Sequence, residues 1–280
     1  VREAGSLVAV DAATTLRFGV AGHPVEHSLS PQMHEAAYRE LGIDAVYQRL
    51  PIRPELFAET VRALPGSGFA GINVTIPHKH AAAELADSRS AAVEAIGAAN
   101  TLTFVEGRVH AENTDAPGLI AAIGRPLEGM CALVLGAGGT ARAAVWALRE
   151  AGAAVEVFNR TSERAAVLAD QLGATAVFET DGGGGYELIV NTTAVGMDPA
   201  VSDDEALAAL RLDPAAIAAD ALVVDFVYRV GETPLVAAAK ARGLTVVDGR
   251  ELLVRQGALS FELWFARPAP LEAMRAALTP

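Results

Sequence analysis

Residues 131–141 constrain this chain more than any other stretch. Cys131-Ala-Leu-Val-Leu135 is a short apolar, β-rich run of the kind that forms a buried parallel strand. It feeds Gly136-Ala137-Gly138-Gly139-Thr140-Ala141. Thr140 to Glu150 then reads as a helix, with Ala143, Val145, Trp146 and Leu148 on its apolar face and Gly152 at its end. The spacing Gly136-x-Gly138-x-x-Ala141 is that of a dinucleotide-binding turn. Gly136 permits the tight turn, Gly138 lets a pyrophosphate approach the backbone, and small Ala141 allows close helix–strand packing. The free N–H groups at the helix start then face phosphate oxygens. A Gly-rich turn alone is an ordinary βα connection; the strand before it and the helix after it turn the reading toward a nucleotide.

The next strand, Ala154-Val-Glu-Val-Phe158, bears on which nucleotide. An NAD site places an acidic residue near this strand's end to accept from the ribose 2′-OH. Glu156 falls early, inside the strand, where its side chain projects away from the site. The tip instead carries Asn159, Arg160 and Thr161, with Arg164 one turn into the following helix. Two guanidinium forks and a hydroxyl suit a 2′-phosphate, which favours NADP over the competing view of solvated surface charges.

The chain has 280 residues, half of them hydrophobic, and a net charge of −12. That length allows one large or two ordinary domains. The acidic balance leaves no electrostatic footprint for nucleic acid or an anionic membrane, and an anionic substrate would need local positive groups. One cysteine, Cys131, excludes an intrachain disulfide framework and agrees with a reducing compartment. Val1–Thr15 lacks the basic and apolar segments of a signal peptide, and no apolar run approaches a membrane span. A cytoplasmic protein is expected. Monomer and homodimer are not distinguished.

Elements alternate along the chain. Strands are expected over 17–22, 45–52 and 71–76, helices over 31–41 and 54–64, and a broken helical stretch over 78–98. A hairpin follows at 100–106 and 108–112, then a helix near 116–124. Further strands are expected near 131, 154, 175, 188, 222 and 245, and helices over 250–266 and 269–278. Such alternation implies parallel sheets covered by helices. The glycine turn marks the first strand of a Rossmann-like domain over 115–249, so residues 1–114 form another α/β domain, to which 250–280 can return. Asp181-Gly-Gly-Gly-Gly-Tyr186 reads as a mobile surface loop.

Three segments of the first domain concentrate polar groups. In His27-Ser28-Leu29-Ser30-Pro31, Pro31 suits a first helical position and Ser30 an N-cap. Capping leaves Ser28 unexplained, and two hydroxyls at a helix start could hold a carboxylate. In Gly71-Ile-Asn-Val-Thr-Ile-Pro-His-Lys79, alternation sets Ile72, Val74 and Ile76 on one face and Asn73 and Thr75 on the other. Lys79 opens a helix, where a cation is electrostatically disfavoured; a solvated lysine is an equal reading of this segment alone. Ala99-Asn100-Thr101 and Asn113-Thr114-Asp115 bring amide, hydroxyl and carboxylate groups to adjacent strand ends, a lining suited to a polyol or simply a set of turn caps. His78-x-His80 does not share a helix face and has no third ligand at fitting spacing, so no metal site is expected.

These segments, with Gly-Ala-Gly-Gly-Thr-Ala, Asn-Arg-Thr, Asp225-Phe-Val-Tyr228, Thr233-Pro-Leu235 and Asp248-Gly-Arg-Glu-Leu-Leu-Val-Arg-Gln256, occur in the order found in shikimate dehydrogenases. From about Arg17 onward the chain resembles that family. The resemblance implies NADPH-dependent, reversible reduction of 3-dehydroshikimate to shikimate. It places Ser28, Ser30 and Tyr228 on the substrate carboxylate, Asn73, Thr75, Asn100 and Gln256 on ring hydroxyls, and Lys79 and Asp115 beside the reacting oxygen. The nucleotide would meet Gly136–Ala141, Asn159, Arg160, Thr161, Arg164 and Gly249. It also implies that the C-terminal helices cover the substrate domain. Leu252 and Leu253 stand where the family often has Met, a near volume-conserving difference. Hydride transfer builds negative charge on the carbonyl oxygen, so Lys79 fits as general acid or as electrostatic stabiliser. A quinate/shikimate dehydrogenase of broader specificity is the nearest rival. A non-catalytic metabolite-binding paralogue is disfavoured because Lys79 and Asp115 are both retained.

Overall fold

The computed structural model describes residues 15–279. The reading of Val1–Thr15 as lacking a signal peptide therefore lies, but for Thr15, outside the described residues. The chain divides into two compact units, Val1–Gly118 with Leu253–Pro280, and Leu119–Leu252. Among the described residues no helix is long and apolar enough to cross a membrane.

The first unit contains β1 (Leu16–Gly22), α1 (Ser30–Leu41), β2 (Ala45–Pro51), α2 (Phe57–Ala63), β3 (Phe69–Val74), α3 (Lys79–Leu85), β4 (Ser88–Arg89) and α4 (Ala91–Ile96). The hairpin β5 (Thr101–Val105) and β6 (Arg108–Glu112) follows, leading into α5 (Asp115–Ile123). The six strands order β2-β1-β3-β5-β6-β4. Strand β1 pairs in parallel with β2 and β3, and β5 runs antiparallel to both β3 and β6. Every residue of β3 is buried, as a central strand covered on both faces requires. Its Gly71 is obligatory: a Cβ there would lie 2.5 Å from Trp264 Nε1 and 2.8 Å from the Leu102 carbonyl oxygen. Trp264, fully buried, packs at a tilt on Phe18 of β1 with ring centroids 4.6 Å apart, and belongs to α10 (Gly249–Phe265).

The second unit contains β7 (Cys131–Leu135), α6 (Gly139–Glu150), β8 (Ala154–Phe158), α7 (Ser162–Leu172), β9 (Thr175–Val177), β10 (Leu188–Asn191), α8 (Asp203–Ala209), β11 (Leu222–Asp225), α9 (Pro234–Ala241) and β12 (Thr245–Val247). Helix α11 (Leu271–Ala276) closes the chain, within the first unit. The sheet is wholly parallel in the order β12-β11-β10-β7-β8-β9. The chain winds outward from β7 through β8 to β9 and restarts on the other side at β10. That reversal opens a crevice beyond the carboxyl ends of β7 and β10, the place where such sheets bind ligands. Helix α6 buries Ala141, Ala143, Ala144, Val145, Ala147 and Leu148 against the sheet, whereas Trp146 is only half-buried.

Three local expectations are corrected. Helix α1 begins at Ser30, not Pro31, because Leu29 already has helical backbone angles; Leu29 is the N-cap and Ser30 makes no capping hydrogen bond. Strand β3 ends at Val74, and the Thr75 carbonyl accepts from the His78 N–H at 2.9 Å. The chain turns there, leaving Ile76 half-exposed instead of aligned with Ile72 and Val74. The stretch 78–98 does break near Asp87, as expected, into two short helices flanking β4. The four-glycine run is also not a free surface loop. Gly182 bridges Leu212, its carbonyl accepts from the Asp213 N–H at 2.9 Å, and Gly183 is buried facing Ile189, Leu212 and Ile217.

Candidate active site

The end of β3, the start of α3, the Ala98–Asn100 turn and the start of α5 bring the polar segments of the first unit together. Lys79, at the first position of α3, and Asp115, at the first position of α5, form a buried ion pair with Nζ donating to Oδ2 at 2.6 Å. They are 9% and 6% exposed, so the pair sits where solvent screening is weak and still reaches the surface at its edge. Asn100 orders the other carboxylate oxygen, its Nδ2 donating to Asp115 Oδ1 at 2.9 Å. The same nitrogen reaches Thr114 Oγ1 at 2.9 Å and Gln256 Oε1 at 3.2 Å. Asn100 Oδ1 in turn accepts from the Thr114 N–H at 2.7 Å. Lys79, Asp115, Asn100 and Gln256 therefore form one continuous set.

Asn73 joins that set through the Asn100 main chain and Ser260. Its Nδ2 contacts the Asn100 carbonyl at 3.2 Å, Thr101 Oγ1 at 3.1 Å and Ser260 Oγ at 2.8 Å. Ser28 and Ser30, both buried, lie with their hydroxyls 3.2 Å apart. Arg49 of β2 holds this corner by donating from Nε and Nη2 to the Ser28 carbonyl at 3.0 and 2.6 Å. Thr75 is half-buried just beyond β3, and its methyl faces Gly22, where a Cβ would come within 2.5 Å. Asn113 serves structure: it donates to the Ala98 carbonyl at 2.9 Å and accepts from the Ala116 N–H at 3.1 Å. His78 is buried, stacked on Phe57 and 2.7 Å from the Ile52 carbonyl oxygen.

The second unit holds the remaining candidates. At Gly136 φ is +116°, and a Cβ there would stand 2.6 Å from Thr192 Oγ1, so only glycine leaves this turn open. Gly138 caps α6, and no atom lies within 4 Å of where its Cβ would be, which leaves its face clear for a pyrophosphate. Asn159, whose Nδ2 donates to the Thr161 carbonyl at 2.9 Å, shapes the tip of β8, where Arg160, Thr161 and Arg164 are exposed. Glu156 is engaged by the Tyr186 hydroxyl inside the sheet and is not offered to that tip. The turn at Gly136–Gly138 fits the pyrophosphate of a dinucleotide. Gly249 lies against the main chain of Phe226 and Val227, where a Cβ would be 2.4 Å from the Val227 carbonyl oxygen. That contact fixes the segment leading to Tyr228. Asp225, fully buried, reinforces it by accepting from the Val227 N–H at 3.0 Å, Asn191 Nδ2 at 2.9 Å and Thr233 Oγ1 at 2.6 Å. Burial raises its pKa to about 6 against these hydrogen bonds.

A family model described as the shikimate dehydrogenase substrate binding domain matches residues 20–102, one for shikimate/quinate 5-dehydrogenase matches 119–181, and one for the shikimate 5′-dehydrogenase C-terminal domain matches 249–279. A curated relative from Anaeromyxobacter sp. strain K, named shikimate dehydrogenase (NADP(+)), is 42% identical over 277 residues, covering 94% of this chain and 96% of its own. The chain belongs to the shikimate dehydrogenase family. Among solved structures of the family, the Thermus thermophilus enzyme in complex with NADP(H) and shikimate is 42% identical with a TM-score of 0.83, over 94% of this chain and 98% of that one. The Aquifex aeolicus shikimate dehydrogenase is 33% identical with a TM-score of 0.88, over 97% and 100%.

In this member of the shikimate dehydrogenase family, sequence reasoning missed Tyr47 and Ser260. Tyr47 is the single buried residue of β2, and its hydroxyl donates to Asn73 Oδ1 at 2.7 Å. Ser260 lies one helical turn beyond Gln256, whose carbonyl it donates to at 3.1 Å. The i,i+4 spacing puts it on the same helix face as Gln256, a signal present in the sequence.

Proposed function

We propose that this chain is an NADP-dependent shikimate dehydrogenase, reducing 3-dehydroshikimate reversibly to shikimate for aromatic amino-acid biosynthesis in the cytoplasm. The observation that carries the reading is the buried Lys79–Asp115 pair bonded through Asn100 to Gln256. In this reading the first unit binds substrate and Leu119–Leu252 binds the nucleotide. NADPH, when bound, supplies the hydride. Ser28 and Ser30, with Tyr228, take the carboxylate, while Asn73, Thr75, Asn100 and Gln256 read the ring hydroxyls. The Lys79 ammonium stands where the ketone oxygen gains negative charge, and it can stabilise that oxygen and deliver a proton to it. Asp115 holds Nζ in place and accepts from the neighbouring hydroxyl. The chain's charge of −12 repels an anionic substrate at long range, so its capture depends on these short-range donors.

Initial rates with shikimate and quinate, each against NADP and NAD, test the assignment. Turnover is expected with shikimate and NADP. Strong quinate turnover would move the chain to the broader-specificity relatives, and NAD preference would overturn the 2′-phosphate reading. Substituting Arg160 and Arg164 together by alanine is expected to raise the KM for NADP roughly 100-fold, through two lost charge-assisted contacts, and to leave that for NAD unchanged. An equal rise for both nucleotides would show that the arginines do not read the 2′-phosphate.

A further inference from the structure

Residues 23–29, which join β1 to α1 and carry Ser28, form no strand or helix that would fix them. Strand β2 holds them from the side. The β1–β2 register sets Arg49 beside Val20, two residues before β1 ends at Gly22, so the Arg49 side chain reaches the departing loop. Its Nε and Nη2 both donate to the Ser28 carbonyl, at 3.0 and 2.6 Å. Among the described residues that carbonyl has no other hydrogen-bond partner. The Ser28 N–H is committed to the Val25 carbonyl at 3.0 Å. With both main-chain groups fixed, the Ser28 hydroxyl meets that of Ser30 at 3.2 Å and accepts from the Ser30 N–H at 3.3 Å. The electrostatics of this corner are one-sided. Helix α1 begins here, 12 residues long, with no acidic residue in its first turn to offset the positive end of its dipole. Arg49 adds a full positive charge, and among the described residues it forms no ion pair. Glu26, the acidic residue of the same loop, turns its carboxylate onto the Val25 N–H at 2.9 Å.

We infer that Arg49 is a positioning residue that fits the Ser28–Ser30 corner to an anion, holding Ser28 by its carbonyl and lending the corner positive charge. This role rests on the assignment of Ser28 and Ser30 to the substrate carboxylate. It adds charge to a contact that the two neutral hydroxyls alone would make by hydrogen bonding. The chain's net charge of −12 makes that local cation matter, because long-range electrostatics work against an acid substrate. The choice of a carboxylate over an uncharged group of the same shape then depends in part on a β2 side chain that acts through Ser28.

Dissociation constants for shikimate and for its methyl ester, which keeps the ring and loses the charge, are measured by calorimetry on the unaltered protein, Arg49→Gln and Arg49→Lys. Arg49 is exposed on the edge strand β2, so neither substitution enters the core. Glutamine keeps a donor for the Ser28 carbonyl without the charge; lysine keeps both. Arg49→Gln is expected to weaken shikimate binding roughly fivefold, the scale of one solvent-exposed charge. The same variant is expected to change ester binding by less than about twofold, and Arg49→Lys to stay within about twofold of the unaltered protein for shikimate. In initial-rate measurements the shikimate KM of Arg49→Gln is expected to rise with kcat and the NADP KM preserved, a split that general loosening of the fold would not give. High salt is expected to narrow the gap between Arg49→Gln and the unaltered protein. Unchanged shikimate binding in Arg49→Gln, equal weakening of acid and ester, or a lysine variant as weak as the glutamine one would each overturn the role of Arg49 alone. Absence of shikimate binding and turnover in the unaltered protein would overturn the parent assignment with it.

Discussion

Lys79→Ala lowers kcat by about a thousandfold while the dissociation constant for shikimate changes less than about fivefold. The magnitude is that of removing a preorganised cation and proton donor from a weakly screened site. The asymmetry follows from when the ammonium matters. On the proposed reading the ground-state substrate is also held at its carboxylate by Ser28 and Ser30 and at its ring by Asn73, Asn100 and Gln256, so losing one donor costs little binding. On the same reading the ketone oxygen gains charge in the transition state, and Lys79 is the cation that meets it. Removing the lysine also strands Asp115, 6% exposed, which then keeps Asn100 as its neighbour at 2.9 Å. A drop in stability is therefore expected alongside, since breaking one side of a buried pair costs about 3–5 kcal/mol in typical proteins. Lys79→Met, which fills the same volume, separates the two effects: its stability should fall less than that of the alanine variant while its kcat stays equally low. Near-normal turnover in either folded variant would remove Lys79 from the chemistry.

The first unit loses stability as pH falls from 7 toward 4.5, and His34 is the main cause. Its imidazole is fully buried among Tyr38, Tyr47 and Trp264, and burial lowers its pKa to about 3. The unfolded chain protonates this histidine near pH 6.5 and the folded chain does not until about pH 3, so the unfolded state binds the extra proton throughout that window. The stabilising contribution is complete above about pH 6.5 and is lost as pH falls toward 3, at about 1.4 kcal/mol per unit. Between pH 7 and 4.5 the loss is about 3 kcal/mol. Asp225 works in the opposite sense. Its raised folded value, about 6, adds stability below the unfolded carboxylate range and loses it as pH rises to 6. It lies in the other unit, so hydrogen exchange resolved by residue distinguishes the two. His34→Phe is expected to flatten the pH dependence in the first unit alone. An unchanged slope in that variant would mean the acid sensitivity comes from elsewhere.

What was legible in the sequence was whatever is contiguous. The strand–glycine–helix unit at 131–150 and the arginines after β8 are local patterns, and local backbone rules place them. Lys79, Asp115, Asn100 and Asn73 were legible because each sits in a short polar segment that a hydrophobic core does not accommodate. Tyr47 and Ser260 escaped because their meaning lies in partners 26 and 187 residues from them along the chain. Alternation in β2 sets Val46 and Leu50 on the face opposite Tyr47 and does not say what the Tyr47 hydroxyl meets. Ser30 was misread as a cap because the serine–proline pattern is the same whether the helix starts one residue earlier or later, and Leu29 settles it by adopting helical angles. The glycine run at 182–185 looked mobile by composition; small residues there instead permit close packing, as Gly183 shows against Leu212 and Ile217.

A crystal structure of the protein with shikimate and NADP tests the central assignment most directly. The expected result is the substrate carboxylate on the Ser28 and Ser30 hydroxyls, with one ring oxygen about 3 Å from both Lys79 Nζ and an Asp115 oxygen. Shikimate bound with every ring oxygen beyond hydrogen-bonding reach of Lys79 would contradict it.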